Sequence, residues 1–109
     1  MVSKDLQQII MQAQTLQQQL QMVMTQREAI NLQLIETGKA LEELRKPGED
    51  DVYRILGPVL IKVKRAEARK DLESKKELLT VRMKSVDKSE ASLKQKLEDL
   101  KEKLSKAGV

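Results

Sequence analysis

The sequence predicts a mainly α protein, a long antiparallel two-helix coiled coil whose helices are joined by a β-hairpin that pairs between subunits. Three observations predict it. Apolar residues recur at alternating spacings of three and four over two long stretches, the period of a heptad seam. Between them lies a short β-branched run interrupted by Gly57-Pro58. The composition is 35% charged and 1% aromatic, with no Phe, Trp, His or Cys, which suits long helices better than a compact core. One domain over residues 1–109 is expected, with a helix at about 3–46, a hairpin at about 51–64 and a helix at about 66–107.

The first helix rests on an unbroken seam: Leu6, Ile9, Ala13, Leu16, Leu20, Val23, Arg27, Ile30, Leu34, Thr37, Leu41 and Leu44. Six heptads make roughly 60 Å of helix at about 1.5 Å per residue. Its outer face is rich in Gln, from Gln7 and Gln8 to Gln21. Gln forms helix well without charge, and the continuous seam argues against a low-complexity tract. Gly38 lies inside this helix, where close approach of a neighbouring backbone would be one reason for it. Pro47-Gly48 ends the helix, and Glu49-Asp50-Asp51 forms a solvated loop.

The hairpin follows. Val59, Ile61 and Val63 alternate with Leu60, Lys62 and Lys64, the period of a half-buried strand. Before the turn, Tyr53 and Ile55 share one face, and Val52, Arg54 and Leu56 the other. Gly57 permits positive φ and Pro58 fixes φ near −65°, the requirement of a type II′ turn. The same Gly-Pro would break a helix. A lone two-stranded hairpin is marginal in water, and its open edges invite pairing with other chains. The residues expected in that interface are Val52, Tyr53, Ile55, Leu56, Val59, Leu60, Ile61 and Val63.

The second helix is expected to start near Ala66, without a good capping residue. Its seam runs Leu72, Lys76, Leu79, Met83, Val86, Glu90, Leu93, Leu97, Leu100, Leu104 and Ala107. A reversing hairpin makes the two seams antiparallel, with Leu41 level with Leu72 and Leu20 with Leu93. Two charged residues then fall on the seam. Arg27 and Glu90 are expected to pair and fix register; the alternative is that both side chains reach out to water.

Composition also excludes several functions. Without Cys or His, thiolate and imidazole metal sites and thiol or histidine catalysis are absent, no cofactor is implied, and no Gly-rich phosphate loop occurs. The expectation is therefore a protein that is not an enzyme. The net charge is +4. Residues 1–61 carry 6 basic and 8 acidic side chains, and residues 62–109 carry 15 and 9. The interleaving of sign reads as solvated helix faces rather than a nucleic-acid site, and stacking aromatics are missing. There is no apolar run of membrane-spanning length and no signal-peptide pattern. No membrane association is expected, and a cytoplasmic location is.

The run Val52-Tyr53-Arg54-Ile55-Leu56-Gly57-Pro58-Val59-Leu60-Ile61-Lys62, set between two heptad helices, resembles the beta-type subunits of prefoldin. The Gln-rich first helix ending in Ala40-Leu41-Glu42-Glu43-Leu44 is similar to archaeal members. The resemblance covers essentially the whole chain. It implies an ATP-independent co-chaperone, a hetero-hexamer of two alpha and four beta subunits. In that family the hairpins form a β-barrel platform, and the distal coil ends hold unfolded client proteins for delivery to a group II chaperonin. On this chain the client-binding tips would include Val2, Leu6, Ile9, Ile10 and Met11, with Leu104, Ala107 and Val109 from the second helix. Ile10, Met11, Met22 and Met24 lie off the seam. Met is flexible and polarizable, which suits promiscuous contact, although scattered exposed apolar residues are also ordinary. The client reading is favoured for Ile9-Ile10-Met11 and the ordinary one for Met22 and Met24. The rival function is a structural coiled-coil tether or scaffold subunit without client binding, which would use the same heptads.

Overall fold

Two helices of equal length flank the hairpin in a computed structural model that describes residues 3–106. The order is α1 (Lys4–Arg45), β1 (Asp51–Leu56), β2 (Val59–Lys64) and α2 (Arg65–Lys106). The fold class read from the sequence holds: two long helices joined by an antiparallel two-stranded ribbon. The chain forms two compact units, a terminal unit of Met1–Ala29 with Met83–Val109 and a hairpin unit of Ile30–Arg82. Each helix contributes a segment to both.

Burial follows the heptad seam position by position. On α1 the seam residues from Leu6 to Leu44 are buried or half-buried, apart from Arg27. On α2 the same is true from Leu72 to Leu104, apart from Lys76. Off the seam of α1 the only partly covered described residues are Gly38 and Ala40. The tightest apolar positions are Leu41 and Leu79, each 2% exposed. Thr37 and Glu90 are the polar residues buried in the seam, and no buried side-chain polar atom among the described residues lacks a partner.

Both ends of α1 are fastened by polar groups. Ser3 Oγ accepts the Leu6 amide at 3.2 Å, an N-cap that satisfies a donor the helix cannot. At the other end Arg65 spans the α1–β1 loop. Its Nη1 donates to the carbonyls of Leu44 (3.0 Å) and Lys46 (3.2 Å), and its Nε to that of Glu49 (2.7 Å). A cation over the last carbonyls of a helix also opposes the negative end of its dipole. Gly48 makes room for this arrangement, since a Cβ there would overlap the Arg65 guanidinium.

The ribbon register pairs Val52 with Val63, Arg54 with Ile61 and Leu56 with Val59 on one face. Tyr53 with Lys62 and Ile55 with Leu60 pair on the other. Residues directly opposite share a face, so the first face is apolar save for Arg54. The two-residue loop has Gly57 at φ 57°, which with proline's negative φ gives the sign pattern of a type II′ turn. β2 passes into α2 without a loop, and the Arg65 amide donates to the Asp50 carbonyl at 2.6 Å.

The two helix-proximal glycines should respond oppositely to alanine. Nothing lies within 4 Å of a Cβ placed at Gly38, so no close backbone approach explains that residue. Gly38→Ala should stabilise the protein by up to about 1 kcal/mol through helix propensity. Gly48→Ala displaces Arg65 and should destabilise by about 1 kcal/mol. Urea denaturation monitored by circular dichroism measures both.

Candidate functional site

Two surfaces carry apolar side chains without cover. The first is the ribbon. Its root is sheltered in the hairpin unit: Val52 and Val63 are half-buried and line a groove with Leu44, Ala68 and Leu72. Its outer half is exposed on both faces, with Ile55 74% exposed, Tyr53 66%, Leu60 64%, and Leu56, Val59 and Ile61 also exposed, although Tyr53, Ile55 and Leu56 border the same groove. Arg54 reaches Asp71 at 4.0 Å and Lys62 reaches Asp51 at 3.4 Å; both pairs are solvated and hold the ribbon weakly. A two-stranded ribbon this exposed needs further strands or another surface against it.

The second surface belongs to the terminal unit. Leu6, Ile9 and Leu104 lie on the seam and are only half-covered, while Ile10 and Met11 are exposed. Val2, Ala107 and Val109 lie outside the described residues. The fully buried residues of α1 are Ile30, Thr37 and Leu41, all in the hairpin unit. From Leu6 to Val23 the α1 seam is half-covered throughout. On α2, by contrast, the terminal unit holds the buried Leu97 and Leu100, so the thinner cover lies on the α1 side of its seam.

Ile9, Ile10 and Met11 differ in exposure. Ile9 faces the seam, and of the two exposed residues only Met11 lines the groove that runs beside it. That groove is about 530 Å³, floored by Leu16 and Leu100 and edged by Lys96 and Lys103. A second groove of about 520 Å³ continues it past Val23, Leu93 and Met22. Met22, on its edge, is 65% exposed. Gln19 and Gln26, seven residues apart, line the same groove. Leu32, Ile35, Leu78 and Val81 are further exposed apolar residues of the hairpin unit that heptad counting does not single out.

A charged cluster breaks the apolar seam of the terminal unit. Arg27 Nη1 donates to Glu90 Oε2 at 3.0 Å, so the expected pair forms. Arg27 Nε also meets Asp87 Oδ1 at 3.3 Å, and Lys94 Nζ meets Glu90 Oε1 at 2.8 Å. Both carboxylate oxygens of Glu90 are thus engaged, although the residue is only 8% exposed. The hydrogen bond from Lys94 holds the Glu90 carboxyl below its ordinary range, helped by the charges of Lys94 and Arg27 and opposed by burial. Lys46 is raised, chiefly by its hydrogen bond to Glu43, but that pair is fully solvated and carries little weight.

A carboxyl whose pKa is lowered in the folded state adds stability above its unfolded value, and that stability is lost as pH falls through the folded value. For Glu90 the loss should begin as pH drops below the ordinary glutamate range near about 4.3. Glu90→Gln should therefore reduce stability at neutral pH and flatten its decline in acid. Urea midpoints measured from pH 7 to pH 3 test this; equal pH slopes for the two proteins would rule it out.

Among the described residues no cluster of His, Cys, Asp or Glu is arranged to hold a metal ion, and no helix is long and apolar enough to cross a membrane. The sequence matches the family model described as prefoldin subunit over residues 7–108. It is 39% identical to prefoldin subunit beta of Archaeoglobus fulgidus over 90% of this chain and 85% of that one. It is 39% identical to prefoldin subunit beta of Thermococcus onnurineus over 84% and 79% of the two chains. The crystal structure of the prefoldin beta subunit from Thermococcus strain KS-1 superposes with a TM-score of 0.88 at 31% identity, covering 98% of this chain and 95% of that one. The ribbon between two heptad helices is thus shared in sequence and in fold with proteins of one kind, and the chain belongs to the prefoldin family, among its beta-type subunits.

Proposed function

We propose that this chain is an ATP-independent co-chaperone subunit that binds unfolded polypeptides with its terminal unit and passes them to a group II chaperonin. In this reading four copies join two alpha-type subunits, and the ribbons Val52–Val63 complete a β-barrel. Membership of the prefoldin family supports a chaperone-type role. The observation that carries the reading is the ribbon whose outer half is exposed on both faces. It supports assembly through β-pairing, because a subunit that ends in such a ribbon is completed by other ribbons.

Client holding is supported by the half-covered seam ends at Leu6, Ile9 and Leu104 and by the exposed Ile10 and Met11. Opening of the last turns adds Leu6, Ile9 and Leu104 to that surface, and Val2, Ala107 and Val109 are assigned to it as well. Single contacts of this kind are weak. Several tips acting on one client raise avidity by orders of magnitude, and weak individual contacts permit release without a nucleotide.

Two measurements test the two halves of the proposal. Ile55→Asp or Leu60→Asp should prevent assembly with an alpha-type subunit, seen by native mass spectrometry, because a buried unpaired carboxylate in a β interface is costly. Ile10→Ser with Met11→Ser should leave the assembly intact and weaken suppression of client aggregation severalfold. Unchanged protection by an intact assembly would favour a scaffold subunit.

A further inference from the structure

One flank of the terminal unit has a composition that the coiled coil does not need. On α1 its edge carries Gln12, Gln19 and Gln26, one heptad apart, where an acidic residue would ordinarily complement a lysine across the seam. On α2 the opposing edge carries Lys88, Lys96 and Lys103. None of these three lysines makes an ion pair with a described residue, whereas Lys94 is held by Glu90. Asp99 is the single carboxylate among the lining residues, and it accepts the Gln95 amide at 3.1 Å. The floor between the edges is Leu16, Val23, Leu93 and Leu100, with Met11 and Met22 at the rim. The two stretches of groove share Gln19 and Lys96 and so form one trough.

We infer that this trough is a docking groove for client segments that form an amphipathic helix with carboxylates about one heptad apart. The inference rests on the client-holding function proposed above and names the class of client that this flank selects. From Met11 to Gln26 the trough runs about 22 Å at about 1.5 Å per residue, the length of roughly four turns of a guest helix. Lys96 and Lys103 are spaced at about 10.5 Å, which a guest helix matches with acidic residues one heptad apart, and Lys88 lies about 12 Å further along. An apolar stripe on the floor and flexible methionines at the rim are the means by which grooves take varied amphipathic helices. The neutral glutamine edge leaves the lysines' charge for the guest, and a guest carboxylate meets no opposing carboxylate there except Asp99.

The test uses two labelled peptides of about 15 residues with the same leucine pattern, one with Glu and one with Lys at heptad spacing. Fluorescence anisotropy reads their binding to the full chain in its assembly with an alpha-type subunit. The Glu peptide should bind about tenfold more tightly at low salt, as two or three solvated ion pairs provide. The preference should vanish near about 1 M salt, where screening acts within about 3 Å. Gln12→Glu with Gln19→Glu supplies partners for Lys103 and Lys96 within the chain and should abolish the preference. Lys96→Gln with Lys103→Gln should do the same, and circular dichroism confirms that both variants fold. Equal binding of the peptides, no binding of either, or a preference that survives both pairs of substitutions overturns the inference. Displacement of the Glu peptide by an equal concentration of short single-stranded DNA also overturns it, reassigning the lysines to a phosphate backbone. Suppression of aggregation is measured in parallel. Protection without charge preference removes only the groove, whereas absence of protection in the unsubstituted assembly removes the proposed function as well.

Discussion

A ribbon of two six-residue strands is left largely uncovered by the described residues of its own chain. Its root lines a groove with Leu44, Ala68 and Leu72, but the side chains beyond the root are exposed on both faces, and among the described residues no strand pairs with either outer edge of the sheet. An alternating pattern normally assigns one face to a core and one to solvent. Here the strands are apolar on the face of Val52, Leu56, Val59, Ile61 and Val63, and partly apolar on the face of Tyr53, Ile55 and Leu60. Beyond the root this surplus is exposed among the described residues.

The helix pair is held by a narrow line of side chains rather than by a broad core, so single polar substitutions in that line matter. Arg27 and Lys76 interrupt it and stay exposed, while Glu90 and Thr37 are buried in it. Glu90 is tolerated because Lys94 and Arg27 occupy both of its oxygens, which removes the penalty of an unpaired buried charge. The pairing also gives the seam a direction and a register that uniform leucine would not specify.

The helices, the turn and the ribbon were legible because their signals are periodic or local: heptads over forty-two residues, alternation over six, and a Gly-Pro pair that admits few geometries. The Arg27–Glu90 pair was legible for the same reason, since two charges at matching seam positions have few partners. Arg65 was not. Its contacts with Leu44, Lys46 and Glu49 join residues up to 21 apart through a loop, and no spacing rule points to a carbonyl. Ser3 carried a capping signal just before the seam that heptad counting passes over. Ile10 and Met11 are neighbours in sequence. On a helix adjacent residues point about 100° apart, and only Met11 reaches the groove.

Where β2 meets α2 the backbone changes from strand to helix between Lys64 and Arg65 with no intervening residue, whereas α1 reaches β1 through five residues secured by one arginine. The two connections differ in stiffness. The first turns of α2 are splinted to the ribbon and inherit its twist, so a change in ribbon pairing reorients them directly. The end of α1 is moored by a guanidinium that can let go of one carbonyl at a time, which makes that side the compliant member of the joint.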